Sequence, residues 1–576
     1  RKQVIPASAL SSDGKRGLRG EYFTNIELKG KPAMVRYDEA IAFRWEAGSP
    51  FEKLKMPAIE VTWRWANLGS GRIIGIVDVS RGALLRVSGY QPWKFEPSYL
   101  VVDKKELQGK VRGALDEDIK AVLAFIGNAS PERCGDDYLI YRVAPDRPLA
   151  FAIAFKASRK ELPERLEIEA PTVERVKKRL DALANEYTAR KAREGVSYEA
   201  VGNALRWMTS YRPGSLKRYL PVGRRWVWGD ITVLGFETFL SAIAVAPVDT
   251  DLAYDTLLAL FSVQGENGII PHRAIAPGKG TYDRSAPPIG SFCIWQIYRI
   301  TKDKDLLRVT YPRLKRWHEW WLQRVETGKP RRDGNEDGLL EWGSDGGSLQ
   351  SALAESSMHD SPLWDGVIFN WNTWTMECNA VDLNSLYALD ALYLAKIATE
   401  LGIYTHSNTF MREYERIRRL MNEAMWDERL GIYVDVRWDG RKSERIGASN
   451  FYPLLAGIPT KKRAERMRAV LRDDDKFWGK WMLPTISRDD RVFYQQRFWR
   501  GAITPATNYL VYHALLEAGF VDEARALAKS SMELFLRDWN DGCRLRESWL
   551  ATTGEGVGDD YYTLGALMAL IGTGWQ

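Results

Sequence analysis

The chain has 576 residues, 45% of them hydrophobic and 27% charged, and its 82 basic and 75 acidic residues give a net charge of +7. That balance excludes disordered, collagen-like and nucleic-acid-coating classes, because the two signs are interspersed as on a solvated surface. The length allows roughly two to four domains, and no apolar run approaches the roughly 18 residues of a membrane span.

The chain opens at Arg1 without an initiator Met. The expectation is a mature or trimmed form, secreted or periplasmic rather than cytoplasmic. Residues 1–170 read as a β-sandwich. Short β-branched and aromatic runs such as Ala58–Trp65 and Arg72–Val79 are separated by Gly, Pro and Asp, the spacing of strands and turns. The opening Gly17–Phe23, with Ile41–Trp45 further on, resembles the start of protective-antigen-type β domains attached to carbohydrate-active enzymes. Residues 171–195 form a predicted linker helix, with apolar positions at helical spacing from Val173 to Arg193.

From 196 to 576 the pattern repeats helix and loop. Helices are predicted near 197–211, 230–246, 250–262, 288–301, 304–325, 379–402, 406–425, 460–472, 504–518, 521–537 and 558–573. The intervening loops are long and rich in Gly, Asp, Pro and Trp, and the periods are too irregular for a solenoid. The predicted fold class is multidomain α+β, an N-terminal β-sandwich followed by an (α/α)6 helical toroid.

Several chemistries are excluded by missing motifs. The five His, namely His272, His318, His359, His406 and His513, form no ligand-spaced pair, and Cys134, Cys293, Cys378 and Cys543 form no CxxC. No phosphate-binding loop, dinucleotide fingerprint or serine elbow is present, so no organic cofactor is expected. What remains is carboxylates in aromatic loops. Of the 23 Trp, many stand beside Gly, Asp, Arg or Glu, as in Trp226–Asp230, Trp371–Trp374 and Phe498–Gly501. A sugar ring, with apolar C–H faces and a hydroxyl rim, suits such walls.

From about 222 to 575, segments Asp283–Pro288, Asp337–Asp345, Glu355–Pro362, Leu383–Tyr387, Asn450–Gly457, Phe498–Gly501 and Arg546–Trp549 followed by Thr553–Gly556 occur in one order. In that order they resemble the family 63 glycoside hydrolases, with their mannosylglycerate and glucosylglycerate hydrolase relatives, which are cousins of trehalase. The resemblance implies an inverting, exo-acting α-glycosidase on a small or branched glycan. In such an enzyme one carboxylic acid protonates the leaving oxygen and one carboxylate activates water, about 6.5–9.5 Å apart. The family's general base maps onto Glu547.

The acid segment departs from the pattern. The family reads Glu-Ser-Gly-Met-Asp-Asn-Ser-Pro with its acid at the Asp, whereas this chain has Glu355-Ser356-Ser357-Met358-His359-Asp360. Three readings stand open: Asp360 is displaced into the acid role, His359 donates the proton, or hydrolysis is lost. The last makes a glycan-binding protein of the scaffold, and a polysaccharide lyase is a further alternative. The family's Trp-Asp-Thr-Phe appears as Phe236-Glu237-Thr238-Phe239, so Glu237 reaches one methylene further than Asp. Glu237, Trp228, Glu355, Asp365, Trp499, Arg500 and Trp549 are the expected sugar-contacting residues.

Asp333-Gly334-Asn335-Glu336-Asp337-Gly338 matches the opening of a calcium loop. Asp333, Asn335, Asp337, the Leu339 carbonyl and Glu341 are the expected ligands of a structural Ca²⁺. The twelfth position is Ser344, which excludes an EF-hand. The expected partner is an oligosaccharide or glycoside, with no nucleic acid.

Overall fold

The computed structural model describes residues 232–325 and 328–573 without a break. Before them it describes 61–69, 72–88, 98–102, 106–110, 120–134, 138–158, 169–182, 198–212, 217–223 and short strands within 11–38. Strands Leu18–Tyr22 and Met34–Asp38 pair antiparallel, while Gly17, Phe23 and 41–45 of the protective-antigen-like opening lie outside the described residues.

The N-terminal strands are β1 (Val61–Gly69), β2 (Arg72–Val79), β3 (Ala83–Ser88), β4 (Ser98–Val102), β5 (Glu106–Lys110), β6 (Lys120–Gly127), β7 (Tyr138–Val143) and β8 (Leu149–Ser158). Six form one antiparallel sheet in the order β1-β2-β8-β6-β5-β4, and β7 joins β3 and Arg133–Cys134 in a second. Alternation along β7 buries Leu139, Tyr141 and Val143, as the two-residue period of a strand requires. These pack on Val77 and Val79 of β2 and on Leu149 and Phe151 of β8, so the two sheets share a core. Ile76 and Ala150 pack on Val176 and Leu180 of helix α1 (173–182).

The helices that follow are α2 (Tyr198–Met208), α3 (Gly235–Val245), α4 (Thr250–Phe261), α5 (Gly290–Thr301), α6 (Lys304–Trp321), α7 (Leu349–Glu355), α8 (Val381–Glu400), α9 (Tyr404–Ala424), α10 (Tyr452–Leu455), α11 (Lys461–Leu471), α12 (Pro505–Glu517), α13 (Val521–Asn540) and α14 (Ala566–Thr573). They are of two kinds. Helices α3, α8, α12 and α14 are buried almost all round, whereas α9 and α11 bury one narrow stripe. A helix apolar on every side has to be covered on every side. Accordingly α3 packs on α5, α5 on α8, α8 on α10, α10 on α12, α12 on α14 and α14 on α3. Helices α4, α6, α9 and α13 pack against α3, α5, α8 and α12 respectively.

Side chains stop the outer helices unravelling at their starts. Asp249 accepts from the Leu252 amide ahead of α4, and Asp303 and Thr460 cap α6 and α11 in the same way. One predicted boundary moves by two turns. The last helix begins at Ala566 and not at 558, because Gly556–Val557 pairs with Ser548–Leu550 and Thr563–Gly565 is a 3-10 turn. Helices α7 and α10 were absent from the sequence expectation, being too short to show a period.

Candidate active site

A cavity of about 320 Å³ opens where the chain enters the inner helices. Leu234, Phe236 and Glu237 come from the start of α3, Thr504, Pro505 and Ala506 from the start of α12, and Tyr562 and Leu564 from the turn into α14. Phe498 and Trp499 add aromatic wall, and Glu547 and Ser548 enter from the strand Ser548–Leu550. Four polar atoms in residues of this wall are buried with no hydrogen-bond partner among the described residues: Thr232 Oγ1, Glu237 Oε2, His272 Nδ1 and Ser357 Oγ. Buried polar groups are nearly always paired within a fold, so a cluster of unpaired ones facing a single void is equipment for a polar ligand.

Glu547 is held by its main chain and by its neighbour two strands along. Its amide donates to the Asp559 carbonyl at 3.1 Å, and the Asp559 amide donates to Glu547 Oε2 at 3.0 Å. This contact depends on Gly558, which has φ +80°, and a Cβ there would stand 2.4 Å from Glu547 Oε2. Only glycine combines that backbone conformation with that approach. Across the cavity wall, burial lifts the Glu237 carboxyl to about 7, opposed by its own backbone amide and reinforced by the charge of Glu547. Tyr562 is driven well above its usual range by burial and by the charges of Glu237, Glu547 and Asp559, which marks these groups as one electrostatic cluster.

Ser357 stands at the family's glycine and has φ +55°, a left-handed conformation that glycine adopts without strain. In the family's motif His359 stands at the position of the acidic Asp. His359 is a cavity wall, with its ring 6.1 Å from Phe498. Asp360 is not among the lining residues; its Oδ1 accepts from the Trp499 amide at 3.4 Å and its carbonyl accepts from Arg500 at 3.0 Å.

Other expected sugar contacts are engaged elsewhere. Asp365 pairs with Arg500 at 3.1 Å and Arg445 at 2.7 Å; burial raises its carboxyl, but these two arginines bring it net below the usual range. Glu355, expected in the sugar subsite, is fully buried and accepts from Arg332 Nε at 2.8 Å and Nη2 at 2.9 Å, and from the amides of Ser285 and Gly343, each at 2.7 Å. Trp549 is also fully buried and donates to Asp538 at 2.9 Å. Neither lines the cavity. Trp228 lies outside the described residues. His272, Thr232, Ser357 and Tyr562 were not among the residues expected from sequence. In the first of these, burial and the charges of Arg284, Arg273 and His359 push the imidazole down to about 3, so it stays neutral.

Away from the cavity, Asp333, Asp337 and Glu341 bring carboxylate oxygens within 4.8 Å of one another. Burial raises Asp333 and takes Glu341 well above the carboxylate range, with the neighbouring acids adding to both. Asn335 does not join them as a free ligand, since its Nδ2 donates to Asp337 Oδ2 at 2.9 Å and its Oδ1 accepts from the Asp337 amide.

Residues 237–564 match the family model of the mannosylglycerate hydrolase MGH1-like glycoside hydrolase domain. The chain belongs to this family. It is 24% identical over 423 residues to a mannosylglycerate hydrolase of Thermus thermophilus, covering 61% of this chain and 94% of that one. It is 21% identical over 406 residues to the mannosylglycerate hydrolase MGH1 of Selaginella moellendorffii, covering 58% and 78%. A crystal structure of a GH63 mannosylglycerate hydrolase, also of Thermus thermophilus and in complex with glucose, superposes with a TM-score of 0.53 at 20% identity, over 65% of this chain and 98% of that one. A bacterial glucoamylase complexed with acarbose gives 0.54 at 11% identity, over 89% and 81%. The protein is thus GH63-like, and membership makes it a hydrolase acting on glycosidic bonds.

Proposed function

We propose that the protein is an inverting, exo-acting α-glycosidase of a small glycoside, working in the cavity that Glu547 lines and built as a β-sandwich on an (α/α)6 toroid. The observation that carries this is the convergence of four unpaired polar atoms, aromatic walls and two carboxyl groups on one void. Hydroxyls of a single sugar ring pair with Thr232, His272 and Ser357 of the wall, and Phe236, Phe498 and Trp499 cover its C–H faces. Glu547 serves as the base that takes a proton from water, its carboxyl oriented by the Asp559 amide. Arg273, His272 and His359 form a donor-rich part of the wall, suited to an anionic aglycone such as the glycerate carried by the substrates that the relatives are named for. A panel of α-mannosyl and α-glucosyl glycosides, glycerate glycosides first, tests this with the product anomer read by NMR. The expected outcome is a β-anomer released by wild type and none by Glu547→Gln. Turnover that survives Glu547→Gln refutes the mechanism.

We further propose that the 333–341 loop holds Ca²⁺. The donor set is hard oxygen, and Asp333 Oδ1 is buried with no hydrogen-bond partner, which suits a cation that takes six to eight oxygens. Bound there, the ion would neutralise three clustered carboxylates and brace the loop that precedes Glu341–Gly343. Calcium titration of EDTA-treated protein is expected to raise the melting temperature of wild type and not of Asp333→Asn. Equal melting with and without calcium refutes it.

A further inference from the structure

Hydrolysis of this kind needs a proton at the leaving oxygen, and the inference below rests on the glycosidase reading. We propose that Glu237 is the proton donor of the cavity, as a carboxyl whose Oε2 is enclosed with no hydrogen-bond partner among the described residues and whose side chain lines the same void as Glu547. Of the carboxylates singled out from the sequence, only these two line the void. Asp360 is not a lining residue, Asp365 is held by two arginines and Glu355 is enclosed by Arg332 and two amides.

A donor must hold its proton until the leaving oxygen develops charge. The titratable groups lining the cavity with Glu237 are Glu547, Tyr562, His272, Arg273 and His359. Burial and the charge of Glu547 raise the Glu237 carboxyl to about 7, so that about half of it keeps its proton at neutral pH, the division of labour expected when two carboxyls in one site are pushed apart. Once the proton has left, the new carboxylate sits in the first turn of α3, where the helix N-terminus favours a negative charge. Two departures from the family pattern then make one exchange. Position 359 has lost its carboxyl, and position 237, which lines the same cavity, has gained a methylene of reach.

In the step itself the glycosidic C–O bond breaks, its electron pair stays on the leaving oxygen, and that oxygen takes the proton of Glu237. Water forms the new C–O bond at the anomeric carbon while Glu547 accepts its proton. Glu237 is left ionised and Glu547 protonated, and exchange with solvent restores both.

The test compares two leaving groups on one sugar: α-mannosylglycerate or α-glucosylglycerate, whose oxygen needs protonation, and the matching α-glycosyl fluoride, which leaves with far less help. Glu237→Gln is expected to lower kcat on the glycerate glycoside by about 10²- to 10⁴-fold and on the fluoride by less than about tenfold, with KM little changed. The alkaline limb of the wild-type profile near pH 7 is expected to vanish. Glu237→Asp, which keeps a donor at shorter reach, is expected to fall between wild type and Gln. Equal losses on both substrates with a raised KM would make Glu237 a sugar contact only and overturn the proposal. The same leaving-group signature in His359→Gln, and not in Glu237→Gln, overturns it in favour of His359. A wild type inactive on both substrates overturns the glycosidase reading, and this proposal with it.

Discussion

Glu355→Gln separates a sugar contact from a structural clamp. In the structure Glu355 accepts four hydrogen bonds, two from Arg332 and two from the amides of Ser285 and Gly343. Arg332 is itself fully buried, stacks over Trp320 at 5.0 Å and reaches Asp345 Oδ1 at 2.8 Å. The pair therefore ties the 283–285 segment, the strand Glu341–Gly343 and α7 into one unit. A glutamine keeps the shape but removes the charge that offsets Arg332. Its amide nitrogen must also face the N–H of Arg332 or of a backbone donor. Breaking a buried pair from one side costs about 3–5 kcal/mol, and in a domain of this size that lowers the melting temperature by roughly 4–6 °C. Differential scanning calorimetry measures the drop, with Asp360→Asn as a control expected to move it by less than about 1 °C. At a temperature where both proteins are folded, the KM of Glu355→Gln is expected to stay within about threefold of wild type. An unchanged melting temperature combined with a tenfold rise in KM would refute the clamp and return Glu355 to the sugar subsite.

Gly558→Ala places a Cβ 2.4 Å from Glu547 Oε2 at φ +80°. It is expected to cost about 1–3 kcal/mol of stability and, by displacing the base, about 10²-fold in kcat; steady-state kinetics beside thermal melts checks both. His318 is buried between Asp390 at 2.8 Å and Glu413 at 3.2 Å and stacks on Tyr387 at 4.3 Å. Burial lowers its pKa, but the two carboxylates outweigh this and raise it to about 9 from 6.5. Since the folded value is the higher one, the stability it supplies is complete below about pH 6.5 and is lost as pH rises through 9, to the extent of about 3 kcal/mol. Urea denaturation of wild type and His318→Gln between pH 6 and 10 is expected to converge at the alkaline end.

Amphipathic helices were legible because their period survives in sequence. Helices α9 and α13 carry long polar faces, and their predicted spans, 406–425 and 521–537, overlap the observed ones closely. Helix α10 was not legible, because all four of its residues are buried and Pro453 interrupts it. Glu547 came from a motif, and it lines the cavity. Glu355 came from a motif too, yet a carboxylate facing an arginine reads the same in sequence as one facing a sugar. Its partners, Ser285 and Arg332, stand 70 and 23 residues away. Unpaired atoms such as Ser357 Oγ have no signature at all, since lacking a partner is a property of the folded wall. Ser357 nevertheless carried a usable signal: a residue in a glycine position of the family pattern predicts a strained φ, which the backbone has at +55°.

The position of residue 359 on the cavity makes one reversal informative. If the proton donor has moved from position 359 to position 237, the cavity should accept it back. In Glu237→Gln the donor is absent while residue 359 still lines the void, so adding His359→Asp restores a carboxyl at the motif position where the family has its acid. The double variant is expected to recover at least about tenfold of the activity on the glycerate glycoside that Glu237→Gln loses, with no comparable gain on the fluoride. His359→Asp alone adds a second carboxyl to an intact donor and is expected to change kcat by less than about threefold. Such non-additivity belongs to two positions that alternate in one role. A folded double variant that hydrolyses the fluoride yet recovers nothing on the glycoside would show that the two substitutions arose independently, and that the acid function was never exchanged between them.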